Sequence, residues 1–67
     1  MERTSAENRE LLRSHGLPEL PDGEVTELRY RVHHEDWHAR VDGQWYWLDA
    51  REGITPEWRP SILGPST

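Results

Sequence analysis

Residues 25–49 read VTELRYRVHHEDWHARVDGQWYWLD, and this stretch decides the fold. Apolar and polar residues alternate through most of it, the period of a half-buried strand. Asp42-Gly43 between two alternating runs is the signal for a type I′ hairpin turn. His34-Glu35 is a second, weaker turn pair, as a two-residue loop or within a loop from His33 to Asp36. The spacing predicts three antiparallel strands, at about 25–33, 36–41 and 44–49. Closing the turns pairs Val41 with Gln44 and Val32 with Trp37. One face then carries the rows Leu28–Val41–Gln44, Tyr30–Ala39–Tyr46 and Val32–Trp37–Leu48. The other carries Arg29–Arg40–Trp45, Arg31–His38–Trp47 and His33–Asp36–Asp49. A one-residue slip would scramble both sets, so the sorting supports the register. Val25 falls on the polar face in this scheme, which points to a bulge near Thr26.

Before this stretch, residues 4–15 read as a helix. Thr4-Ser5-Ala6-Glu7 fits a capping box, and Gly16 fits the residue just past the helix end. Leu12 and Leu17 then occupy the two positions that touch in a Schellman motif, and Pro18 forbids continuation. The apolar side is small, Leu11 and Leu12 with Ala6, so the helix must dock to persist. Residues 17–23 (LPELPDG) form a stiff linker with a Pro21-Asp22-Gly23 turn signal. After the strands, Thr55-Pro56-Glu57-Trp58 resembles a helix start, and a short helical turn is expected at about 55–63. Gly64–Thr67 reads as a frayed tail. The expected architecture is therefore α+β: one domain over residues 1–67, with an N-terminal helix, a three-stranded antiparallel meander and a C-terminal helical turn.

Composition narrows the function. The chain has 67 residues, 33% hydrophobic and 31% charged, with no cysteine. Its core is small and has no disulfide to staple it, and a thiolate zinc site is excluded. No apolar run reaches bilayer length, and MERTSAENRE lacks the apolar region of a signal peptide, so a cytoplasmic protein without a membrane partner is expected. All eight basic residues are arginine, which fits a GC-rich bacterial or phage genome. The net charge of −5 is uneven: residues 1–27 hold seven acids against three arginines. The acidic balance argues against non-specific DNA binding. The N-terminal acids could mimic a phosphate backbone, but Arg3, Arg9 and Arg13 interrupt them, as on an ordinary solvated face.

The candidate binding residues are Trp45, Trp47, Arg29, Arg31, Arg40 and His38, with Trp58 at their border. Tryptophan and arginine are the residue types enriched in interface hot spots, and arginine over an indole is worth about 0.5–2 kcal/mol. Arg29 directly opposite Arg40 would be an internal conflict, of the kind expected at a binding site. The structural alternative is that the helix covers one sheet face and the Trp58 segment covers the other, with acids from the N-terminal third neutralising the arginines.

The run His33-His34-Glu35-Asp36-Trp37-His38 has metal-ligand residue types, but only His33, Asp36 and His38 share a face, too few for a convincing centre. No serine stands in a nucleophile elbow, and the polar row Asp36, Asp49 and His33 lacks room for a water-excluding pocket. No enzyme, metal or cofactor is expected. The expected function is a non-enzymatic protein-binding module, regulator or inhibitor acting through the Trp/Arg face. The alternatives are single-stranded nucleic-acid binding on that face, and a homodimer formed through the exposed edge of the third strand.

Overall fold

In a computed structural model, residues 3–62 are described, and among them the chain forms one helix and four strands. Helix α1 spans Ser5–Ser14. Strands β1 (Val25–Arg31), β2 (Asp36–Val41), β3 (Gln44–Asp49) and β4 (Glu57–Ser61) make one antiparallel sheet in the order β1-β2-β3-β4.

Both ends of α1 follow from the local sequence. The Thr4 hydroxyl accepts the Glu7 N–H at 3.1 Å, and the Glu7 carboxylate accepts the Thr4 N–H at 2.8 Å, closing the capping box. At the other end Leu17 N–H donates to the Leu12 carbonyl (3.0 Å) and Gly16 N–H to the Arg13 carbonyl (2.9 Å), the two Schellman bonds. Gly16 takes φ 73°, which a β-carbon would strain.

The inward side of α1 is Leu12 and, unexpectedly, Asn8; Ala6 is exposed. Asn8 is buried because it serves the sheet. Its amide donates to the Val25 carbonyl at 2.8 Å, while the Ser5 hydroxyl accepts the Val25 N–H at 2.8 Å. Two helix side chains thus satisfy both backbone groups of the first residue of β1. The linker is held in the same manner: the Arg9 guanidinium donates to the carbonyls of Leu20, Pro21 and Gly23.

The Asp42-Gly43 turn has positive φ at both residues (49° and 82°), as type I′ requires, and β2 pairs with β3 in the expected register, Val41 opposite Gln44. The first hairpin differs. Its loop is Val32-His33-His34-Glu35, with Glu35 at φ 52°, and the pairs are Leu28 with Ala39, Arg29 with His38, Tyr30 with Trp37 and Arg31 with Asp36. Pairing has moved by two residues from the expected register. Two is the side-chain period, so each residue keeps its face. The observed register puts a two-bond Arg31–Asp36 ion pair (3.0 and 2.7 Å) beside the loop and sets the Tyr30 and Trp37 rings 5.1 Å apart. It also removes the Arg29–Arg40 opposition, since Glu27 stands opposite Arg40. A bulge between Val25 and Glu27 turns Val25 inward, opposite Val41.

The C-terminal segment is the second correction. Residues 57–61 are a fourth strand and not a helical turn. Glu57-Trp58-Arg59-Pro60-Ser61 has a period of two, and Pro60 cannot sit inside a helix. On an outer strand its missing N–H costs the ladder nothing. Leu63 and the Gly64–Thr67 tail lie outside the described residues.

The core lies on one side of the sheet. Leu12, Leu20, Val25, Ala39 and Val41 are buried together, with Leu17, Leu28, Trp37, Tyr46 and Trp58 packed around them. Helix α1 packs on β1 from this side. No helix among the described residues is long and apolar enough to cross a membrane.

Candidate functional site: the Trp/Arg sheet face

The face opposite the core is built by strand parity. Pairing places Glu27–Arg40–Trp45–Ser61 in one row and Arg29–His38–Trp47–Arg59 in the next, and Arg31 and Asp36 begin a third row that Asp49 and Glu57 continue. The site residues Trp45, Trp47, Arg29, Arg31, Arg40 and His38 therefore come together. Trp58 does not join them. It pairs with Leu48 one position out of phase with Arg59, faces the core, and donates its indole N–H to the Pro18 carbonyl at 2.9 Å. As part of a strand, the segment supplies Arg59 to the Trp/Arg face instead.

Among the described residues no helix or strand packs over this face. Trp45 and Trp47 are half-buried, and Arg29 and Arg40 are exposed. Beneath them His38 is only 5% exposed, between Arg29 on β1 and Trp47 on β3, and its Nδ1 has no hydrogen-bond partner among the described residues. Burial pushes the His38 pKa down, partly offset by Asp36 on the same strand; Arg31 adds to the depression.

Asp49, 1% exposed, is the ionic anchor of the face. It accepts from Arg59 at 2.6 Å and from Arg51 at 2.9 and 3.2 Å, and these bonds hold its carboxyl below the usual range. Arg31 does the same for Asp36. Arg29 pairs with Glu27 (2.6 Å), and Arg59 also with Glu57 (2.6 Å). The structural alternative holds in part: Glu27, the last of the seven N-terminal acids, neutralises Arg29, whereas the partners of Arg31, Arg51 and Arg59 are Asp36, Asp49 and Glu57 of the later strands. Arg40 makes no hydrogen bond or ion pair among the described residues.

Sequence reasoning missed Asp49 as an anchor and Arg59 altogether. Both depend on β4, whose alternation over five residues is the signal that could have revealed them. Of the three arginines that would meet phosphates in the nucleic-acid reading, Arg29 and Arg31 are bonded to carboxylates, and Arg40, among the described residues, is not. The edge-dimer reading loses its edge, because β3 is paired on both sides. The outer edge is β4, blunted by Glu57, Arg59 and Pro60.

His33 and His34 lie in the loop, and among the described residues no group of three or more potential ligands could hold a metal. Ser5 is taken up by Val25, and the Ser14 hydroxyl donates to the Leu11 carbonyl at 2.6 Å.

Compared with known proteins, the chain matches no family model, no curated sequence and no solved structure. Its class is therefore defined by architecture: a small α+β domain with a helix on one side of a four-stranded antiparallel meander.

Proposed function

We propose that the chain is a non-enzymatic module that binds a protein partner through the Trp45/Trp47 face, as a regulator or inhibitor of a larger assembly in the cytoplasm. One observation carries this reading. All core packing gathers on one side of the sheet, yet two tryptophans stand on the side over which no helix or strand lies. Partner association would complete the burial of the indoles, and central tryptophan and arginine anchors dominate interface energetics. The already paired arginines suit such a surface, since their side chains are held in place before a partner arrives.

The test is affinity capture with three immobilised proteins: the wild type, Trp47→Ala and the distant surface variant Glu10→Gln. The expected result is a partner held by the wild type and Glu10→Gln and lost with Trp47→Ala, while far-UV circular dichroism stays unchanged. A captured set that ignores Trp47→Ala, or an unfolded Trp47→Ala protein, would make Trp47 a structural residue and end the proposal.

A further inference from the structure

We infer that the partner segment is acidic and aliphatic: a carboxylate seated on the Arg40 guanidinium, with neighbouring aliphatic side chains on the Trp45 and Trp47 indoles. This rests on the reading of the face as a protein-binding surface and adds the chemistry of what it binds.

Charge is segregated in this molecule. Five of the eight arginines (Arg29, Arg31, Arg40, Arg51 and Arg59) lie on or over the Trp face, against four of the thirteen acids (Glu27, Asp36, Asp49 and Glu57). With Arg51, which reaches Asp49 from the loop after β3, the face carries a formal +1 on a chain whose total is −5, while its strand residues alone balance at four arginines against four acids. The excess can be located. Each of the four acids is bonded to an arginine. Arg40 is exposed and bonded to nothing among the described residues. Glu27, its cross-strand neighbour, is taken by Arg29 at 2.6 Å.

Arg40 therefore presents an unused planar fork of donors, the geometry that matches a carboxylate. It stands directly opposite Trp45 on the neighbouring strand. Trp47 follows two residues along, about 7 Å away at the rise of a strand, which is also the spacing of same-side residues in an extended peptide. A cationic partner would meet an unpaired like charge at Arg40 and no unbonded carboxylate on this face. An acidic one gains a charge-assisted bond there, and its aliphatic groups gain the indoles.

The test is a titration of the isotopically labelled chain with two blocked peptides, Leu-Asp-Leu-Asp-Leu and its uncharged isostere Leu-Asn-Leu-Asn-Leu, followed by the indole N–H signals. The expected result is movement of the Trp45 and Trp47 signals, with the aspartyl peptide bound at least tenfold more tightly. That preference should vanish in Arg40→Gln and persist in Arg13→Gln, whose arginine lies on the helix. Comparison of the two peptides on the wild type needs no variant to fold. Equal affinity for both peptides, with the indoles still moving, would overturn the carboxylate assignment and leave the binding face standing. Tighter binding of a Leu-Lys-Leu-Lys-Leu peptide would reverse the charge assignment. No movement of either indole with any peptide would count against both the chemistry and the face.

Discussion

Trp58 and Trp47 lie on neighbouring strands and face opposite ways, so truncating each should have unequal consequences. Trp58 packs against the Leu12, Leu20 and Val25 cluster and spans to the linker through its bond to the Pro18 carbonyl. Trp58→Phe keeps most of the packing and loses that bond, a cost of about 0.5–1.5 kcal/mol. Trp58→Ala also leaves a cavity, and such core truncations cost about 3–5 kcal/mol, with a half-buried site at the lower end. The whole stability of a 67-residue chain is only about 3–10 kcal/mol. Trp58→Ala should therefore lose at least about a third of the total stability. Trp47 stands where no helix or strand packs over it and makes cross-strand pairs with His38 and Arg59, worth about 0.2–1 kcal/mol each. Trp47→Ala should cost about 0.4–2 kcal/mol in total. Urea unfolding followed by far-UV circular dichroism gives both numbers on one scale. Equal destabilisation by the two alanine variants would refute the division of the sheet into a core face and a binding face.

Three further outcomes follow from the same geometry. Asn8→Ala leaves the Val25 carbonyl without its buried donor and should cost about 1–3 kcal/mol in thermal or urea unfolding; wild-type stability would contradict the clamp. Gly23 has φ 138°, and a β-carbon there would collide with the Asp42 carboxylate, which accepts the Glu24 N–H, and with the Val41 side chain. Gly23→Ala should thus destabilise by more than about 1 kcal/mol, and a neutral result would show the turn to be adaptable. Burial lowers the His38 pKa in the folded chain, so the unfolded chain takes up its proton first. Its contribution is complete above the ordinary imidazole value of 6.5 and is lost as pH falls from there toward the depressed folded value. Unfolding curves across that window should show the slope for the wild type and a flatter one for His38→Phe; identical slopes would clear His38 of the effect.

What could be read from sequence was what is settled locally. Thr4 with Glu7, Gly16 with Leu17, and Asp42-Gly43 each specify a cap or turn through their own backbone needs, and the structure has all three. The first hairpin has no such residue. Its loop takes φ 52° at Glu35 without a glycine, so the register is decided by the side-chain pairs that flank it, Arg31 with Asp36 and Tyr30 with Trp37. The two-residue move preserved strand parity, which is why the Trp/Arg face assembled nearly as expected although its cross-strand partners changed. Trp58 went astray because Thr55-Pro56 imitates a helix start, while its fate as a strand depends on an open β3 edge. Asn8 was passed over because a polar side chain on a short helix signals solvent until its acceptor on β1 is in place.

An open binding face requires that the Trp45 and Trp47 indoles point to solvent. The most direct measurement is the attenuation of each indole N–H signal by a soluble paramagnetic agent. The indoles of Trp45 and Trp47 make no hydrogen bond among the described residues, whereas that of Trp58 is bonded to Pro18 beside the core. The Trp45 and Trp47 signals should be strongly attenuated, and Trp58 should be protected. Protection of Trp45 and Trp47 equal to that of Trp58 would contradict an open binding face.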